Sequence, residues 1–414
     1  MHIAWLGKKS PFCGNVTYSR EVTNTLLDRG HRVSFLHFAA ETTSAEPHSE
    51  WQIQNQHWKF RSTNWSLNPS SPASRAITQE VPLPCLYKSQ IYTIPSLKSS
   101  RVLMQSLQDL RPDIVHASLT LSPLDFLLPE ICADLNLPLV ATFHPPFDRK
   151  LRNQTSGTQH LMYQLYAPFL ANYDRVIVFS QIQRDLLIRL GIASEQVVVI
   201  PNGVDVLKYS PGPSRLKAEI GAERIFIYQG RIAIEKNIES LLRAWKKADM
   251  GQDCHLLIVG DGPLANSLQV SYGPDDGILW LGFIEDENRR IEILRGADMF
   301  ILPSLVEGLS LSLLEAMACG LACIATDAGA DGEVLDDGVG VVLQTQSVTT
   351  QLRTLLPLFR NQPEFVALLG QKARQRVLER YTLSQNITQL ETLYAELTQT
   401  SPSASFSRVF KRSS

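Results

Sequence analysis

The chain has 414 residues, 44% hydrophobic and 19% charged, with a formal net charge of −2. That length exceeds one ordinary core and predicts two domains of about 200 residues each. The balanced charge excludes a bulk attraction to nucleic acid.

The opening "MHIAWLGKKS" has no charged leader before its short apolar run, so it reads as a strand and not as a signal peptide. A helical stretch over 15–29 and a second strand, "RVSFLHFA", follow. Residues 41–80 differ: rich in Ser, Pro, Asn and Gln, yet carrying Trp51, Trp58 and Trp65, they predict a long insertion with aromatic anchors. "DIVHAS", "PLVATFH", "RVIVFS" and "VVVIPNG" then alternate with helical patterns, the rhythm of a parallel βαβ sheet. The Pro- and Gly-rich passage 201–213 predicts a linker, placing the first domain at 1–200. "RIFIYQG", "HLLIVGDG", "ILWLG", "DMFILPS" and "LACIAT" repeat the rhythm and predict a second domain over 201–398, helical from 348 to 398, with 399–414 as a loose polar tail. The expected architecture is α/β: two Rossmann-like, doubly wound domains facing across a cleft at the carboxyl ends of their strands, where open sheets bind ligands.

Six cysteines show no Cys-x-x-Cys pair and no Cys/His cluster with zinc spacing, so they read as reduced thiols in a cytosolic protein. No run of about 18 apolar residues occurs, and any membrane contact is expected to be peripheral. The first 200 residues carry 18 Lys and Arg against 15 Asp and Glu. Such a mild excess suits an anionic surface but is too small to assign one.

The segment "PSLVEGLSLSLLEAMACG", 303–320, sets Glu307 and Glu315 eight positions apart among small apolar residues. With "DMFILPS" as a buried strand and "LSLLEAMACG" as a helix, Glu307 falls in the exit loop and Glu315 about one and a half turns into the helix. The helix start near Leu309 to Leu311 presents unpaired N–H groups and a positive dipole end, a place for phosphate. A carboxylate is repelled by phosphate, so the two acids are expected to grip hydroxyls on either side of it. On spacing alone, a helix N-terminal acid plus a solvated one remains an equal alternative.

"YQGRIAIEKNIESLLRAW", 228–245, places Arg231 and Lys236 on one loop between strand and helix, where two cations could clamp a diphosphate. Taken alone, such a pair is also what a solvated loop looks like. In "VGDGPL", Gly260, Asp261 and Gly262 form a strand exit able to approach a base or ribose closely. In "SPFCGNVTYSREV", Gly14 and Asn15 begin a helix at the end of the first strand, a second phosphate-facing terminus. Neither loop reads G-x-G-x-x-G, which argues against a dinucleotide oxidoreductase. No Asp-x-Asp occurs to hold a metal-bridged diphosphate. "ATFHPPFD" puts His144 at a strand end, and His116 in "DIVHAS" is a weaker candidate of the same kind.

Taken in order, "GRIAIEKN", "VGDGPL", "LGF" and "ADMFILPSLVEGLSLSLLEAMACGLACIAT" resemble the donor half of family 4 glycosyltransferases, and "IPNGVD" resembles that family's interdomain strand end. The resemblance implies a GT-B fold, a nucleotide-sugar donor, no metal or other cofactor, and retention of anomeric configuration. It implies roles at matching positions. Glu307 would hold the donor sugar's hydroxyls and Glu315 the ribose; Arg231 and Lys236 would stabilise the leaving diphosphate. Ser310 and Leu311 would give backbone N–H groups to phosphate, and His144 would bond the donor sugar or position the acceptor. The chain departs from the family in reading "EGLSLSLLEA" where many members have Glu-Gly-Phe-Gly, and in lacking the His-Asp pair, since Asp148 stands four residues after His144.

Residues 81–148, from "VPLPCLYKSQIYTIP" to "PLVATFHPPFD", are similar to lipid glycosyltransferases of photosynthetic bacteria that add a second galactose to monogalactosyldiacylglycerol, the digalactosyldiacylglycerol synthases. This implies UDP-galactose as donor, a membrane glycolipid acceptor, no nucleic acid, and peripheral attachment on the cytoplasmic face of a membrane. Arg149, Lys150 and Arg152 leading into "HLMYQLYAPFLANY" could lie at such an interface, or simply cap a helix packed on the core. The alternatives are the same chemistry on a soluble sugar or polysaccharide, a sugar-nucleotide epimerase or phosphorylase of similar architecture, and a non-catalytic binding module.

Overall fold

The computed structural model describes residues 1–9, 13–40, 79–89, 92–146 and 154–399. The three Trp of the expected insertion, Asp148, the Arg149, Lys150 and Arg152 cluster, and the tail beyond Gln399 lie outside the described residues. The chain divides into two compact units, Met1–Thr142 with Tyr394–Ser414, and Phe143–Leu393. The backbone after Thr142 is already tied to later chain, Phe143 N–H donating to Ile177 O and the Gln183 side chain to Tyr163 and Phe143 O.

The first unit contains β1 (His2–Leu6), α1 (Gly14–Asp28), β2 (Arg32–Ala40), β3 (Gln79–Lys88), β4 (Thr93–Pro95), α2 (Ser99–Leu110), β5 (Ile114–Ser118), α3 (Leu124–Asp134) and β6 (Leu139–Thr142). These strands lie side by side in the order β4-β3-β2-β1-β5-β6. β1, β5 and β6 are buried at every residue, as strands covered by helices on both faces must be. β3 begins at Gln79, so the last two residues of the expected insertion belong to the sheet. Its Pro82 and Pro84 hid it from the sequence pattern, because proline within an apolar run argues against an interior strand. Here β3 pairs parallel with β2 and antiparallel with the short β4.

The second unit contains α4 (Gln154–Leu170), β7 (Arg175–Val178), α5 (Gln181–Arg189), β8 (Val197–Val199), α6 (Leu216–Ile220), β9 (Arg224–Gln229), α7 (Ile238–Lys247), β10 (Cys254–Val259), α8 (Ala265–Ser271), β11 (Ile278–Gly282), α9 (Glu287–Gly296), β12 (Met299–Leu302), α10 (Leu311–Ala318), β13 (Ala322–Thr326), α11 (Asp331–Leu335), β14 (Val341–Leu343), α12 (Val348–Asn361) and α13 (Pro363–Arg380). The final helix, α14 (Leu383–Gln399), runs across the division at Leu393. β7 and β8 pair in parallel, and β9 to β14 form a six-stranded sheet in the order β11-β10-β9-β12-β13-β14.

α7 shows why these helices cover the sheet. Ile238, Leu241, Leu242 and Trp245 recur at helical spacing and are buried, while Glu239, Arg243 and Lys246 face solvent. Each such buried aliphatic or aromatic side chain contributes roughly 1.5–3 kcal/mol. Gly370 lets α13 close on the turn after α10: a Cβ there would overlap the Gly320 carbonyl oxygen.

Candidate functional site

In the second sheet β9 lies between β10 and β12, so chain order reverses there. At such a switch point the exit loops of the two central strands diverge and leave a crevice for ligand. Arg231 and Lys236 leave β9, and Glu307 and Ser310 leave β12. The two exits are tied together: Leu305 N–H donates to Glu235 O at 2.8 Å, and Asn237 Nδ2 to Pro303 O at 3.1 Å. Asn237 adopts a left-handed backbone, φ 51°, which ends the short 3-10 turn Ile234–Lys236 and starts α7.

Lys236 Nζ lies 2.6 Å from Glu307 Oε1, and Ser304 Oγ donates to the same oxygen at 2.7 Å. Glu307 is only 7% exposed, so its charge is held by partners and not by water. Arg231 Nη2 pairs with the Glu235 carboxylate. Each of the two cations expected to clamp a diphosphate carries an acid as its partner in this structure. Beneath them the buried Tyr228 hydroxyl donates to Arg231 O at 2.7 Å. Burial, then the nearby Glu307 and Glu235, push its pKa well above the ordinary phenol value, which keeps it a neutral donor.

Ser310 caps α10, its Oγ accepting from Leu313 N–H at 3.3 Å. Its own N–H donates to Asp331 Oδ1 at 2.9 Å. The expectation that Ser310 and Leu311 both offer amides to phosphate is corrected, because the first is already engaged. Leu311 and Ser312 supply the amides at the helix start that have no intrahelical acceptor. Glu315, the fifth residue of α10, accepts from Gln229 Nε2 at 3.0 Å.

Gln229 and Asp331 were missed in the sequence. Gln229 leaves a faint signal, a polar residue ending an apolar strand; Asp331, in "GADGEV", leaves none. Asp331 is 1% exposed, and burial followed by the neighbouring Glu307 raises its pKa well above the carboxylate range.

The Gly-rich exit "VGDGPL" packs against the Arg231 loop. Gly260 has φ +135°, and a Cβ there would overlap Gly230 O; a Cβ on Gly262 would overlap Ile232 O. Ile232 N–H donates to Asp261 O at 2.9 Å, and Asp261 Oδ1 accepts from Gly262 N–H. The close approach expected toward a base or ribose is made in this structure to the backbone that carries Arg231. His144, half-buried after β6, sets its ring 5.3 Å from Phe179, and its carbonyl lies beside Gly308, next to Glu307.

The family described as Glycosyltransferase Family 4 matches residues 13–207, and that described as Glycosyl transferases group 1 matches residues 215–376. The chain is a GT-B glycosyltransferase of family 4 type. The UDP-Gal:alpha-D-GlcNAc-diphosphoundecaprenol alpha-1,3-galactosyltransferase of Escherichia coli is 27% identical over 324 residues, 74% of this chain and 81% of that one. The alpha-monoglucosyldiacylglycerol synthase of Streptococcus pneumoniae is 28% identical over 229 residues, 51% of each. HepE from Anabaena, solved in complex with UDP, superposes with a TM-score of 0.71 over 96% of this chain and 100% of its own, at 16% identity, a likeness of fold.

The remaining candidates of this glycosyltransferase lie in the first unit. Gly14 is the first residue of α1. Asn15 Nδ2 donates to Leu119 O at 3.1 Å, and its Oδ1 accepts from Ser118 Oγ at 2.9 Å. Both ends of the Asn15 side-chain amide join α1 to the exit of β5. His116 is a core residue, stacked 4.0 Å from Trp5 and bonded to Thr142 and Tyr394. Among the described residues no helix is long and apolar enough to cross a membrane, and no three His, Cys, Asp or Glu gather as a metal site.

Proposed function

We propose that this glycosyltransferase moves galactose from UDP-galactose to a membrane glycolipid such as monogalactosyldiacylglycerol, giving digalactosyldiacylglycerol, with retention and without a metal. The observation that carries the reading is the order of charge at the switch point. Lys236, Arg231 and the Leu311 and Ser312 amides are the positive groups, and Glu307 and Glu315 are the hydroxyl acceptors beside them. A diphosphate suits the first set, and a sugar and a ribose suit the second. Gly260, Asp261 and Gly262 support the Arg231 loop, and His144 bonds the donor sugar or positions the acceptor.

Transfer breaks the bond between the anomeric carbon and the diphosphate oxygen, whose electron pair stays with the phosphate. The acceptor hydroxyl oxygen bonds that carbon from the same face, and its proton passes to the departing phosphate. Lys236 and Arg231 neutralise the charge that develops there, the main electrostatic task of such a reaction. No separate general base is needed.

Two surfaces support a lipid acceptor. On α4, Leu161, Leu165 and Phe169 recur every fourth residue and are 65%, 54% and 37% exposed, opposite buried Tyr163, Tyr166 and Leu170. On the β3–β4 hairpin, Leu86, Tyr87, Tyr92 and Ile94 are exposed. Apolar surface of this kind, aromatic at the hairpin, suits a peripheral contact on the cytoplasmic face of a membrane. The two relatives described above are named for lipid-linked or lipid acceptors, which points the same way.

The test is incubation with radiolabelled UDP-galactose or UDP-glucose, monogalactosyldiacylglycerol in mixed micelles, and EDTA. Galactose label extracting into organic solvent on an α-linked product is expected. Label retained in a water-soluble saccharide, or released as free sugar without acceptor, would overturn the reading in favour of a soluble acceptor or an epimerase.

A further inference from the structure

The peptide linking Leu309 to Ser310 is held at both ends. Asn202 Nδ2, from the loop after β8, donates to Leu309 O at 2.8 Å. The N–H of the same peptide, on Ser310, donates to Asp331 Oδ1 at 2.9 Å. Both clamping side chains are buried, Asn202 at 5% and Asp331 at 1% exposure. A third contact seats the loop, Ala330 N–H donating to Gly308 O at 2.7 Å, and Gly329 sits so close that a Cβ would overlap the Glu307 and Gly308 carbonyl oxygens. Asn202 Oδ1 and Asp331 Oδ2 are buried without a partner among the described residues.

We propose that Asn202 and Asp331 are positioning residues that fix the plane of the 309–310 peptide, and through it the Leu311 and Ser312 amides that receive the donor's phosphate. The clamp sits between Glu307 and α10, so releasing it would free the Ser310 cap and let the first turn of α10, with the Leu311 and Ser312 amides, shift from the crevice while the rest of the helix stays packed. Phosphate recognition depends on amides pre-set in direction, because a reoriented donor loses both its hydrogen bond and its share of the helix dipole. The inference rests on the donor reading above and assigns its phosphate subsite two residues that touch no phosphate.

The test is calorimetric titration of wild type, D331N, D331A, D331L and N202A with UDP, GDP and uridine, alongside thermal unfolding. Asp331→Asn keeps an oxygen for the Ser310 N–H and should bind UDP within about threefold of wild type. Asp331→Ala and Asn202→Ala should weaken UDP tenfold or more yet change uridine less than twofold, since uridine carries no phosphate. Asp331→Leu, of similar volume, should behave as Asp331→Ala and stands in for it if the smaller side chain prevents folding. Equal loss of UDP and uridine, or no loss in a folded D331A or D331L protein, overturns the clamp. A wild type that binds no nucleoside diphosphate overturns the donor reading, and the clamp with it.

Discussion

Lys236 Nζ and Glu307 Oε1 meet at 2.6 Å across the exits of two adjacent strands. The cation assigned to the leaving diphosphate and the acid assigned to the sugar therefore compensate each other. An ammonium bound to a carboxylate is a poorer partner for phosphate, so Glu307→Gln should bind UDP at least as tightly as wild type while transfer falls about 100-fold or more. Calorimetry beside steady-state kinetics reads both. A tenfold weaker UDP in this variant would show that the pair does not compete with the nucleotide.

Lys236→Ala should raise the barrier to transfer by about 3 kcal/mol, the size expected for losing one preorganised charge in the transition state. The loss should appear mainly in kcat. Donor turnover at the parental rate would remove Lys236 from the chemistry.

Asp331 carries a pH signature. Its folded pKa lies above the unfolded carboxyl value, so the folded state holds the proton more tightly. The stability this contributes is complete below about pH 4 and is lost as pH rises toward and through the folded pKa, by at most about 1.4 kcal/mol per pH unit. Asp331→Asn cannot ionise; relative to wild type it should gain stability as pH rises above the unfolded carboxyl value toward the folded pKa, in urea unfolding. Parallel stability curves for the two proteins would contradict this assignment.

The glycines divide into those the fold requires and those it does not. Gly260→Ala places a Cβ on the Gly230 carbonyl at φ +135°, and should cost about 3 kcal/mol or abolish soluble expression. Gly14→Ala meets open space at the first turn of α1 and should be neutral or stabilise by up to about 1 kcal/mol. Denaturant midpoints of the two variants decide it; equal effects would show that the loop of Gly260 relaxes.

His116→Ala should lower stability by about 2–4 kcal/mol, since it opens a cavity beside Trp5 and removes a hydrogen-bond partner of the Thr142 and Tyr394 hydroxyls. The donor KM should not move. A changed donor KM at unchanged stability would make this histidine functional after all.

The sequence by itself determined the strands that helices cover on both faces, such as "RIFIYQG" and "DMFILPS", because burial on two sides leaves a continuous apolar run that no other element explains. It also determined where Glu307 and Glu315 stand, since both belong to one strand, loop and helix read in a single pass. It did not disclose β3, whose two prolines break the pattern, or β4, which is three residues long. Nor could it disclose which groups hold the acids and the amides. Gln229 lies 86 residues from Glu315, Asn202 lies 107 from Leu309, and Asp331 lies 21 from Ser310. Local pattern records how each residue meets its own helix or strand. The pairing of Lys236 with Glu307, and the clamp on one peptide, exist only because the sheet sets β9 beside β12 and packing brings the loops after β8, β12 and β13 together.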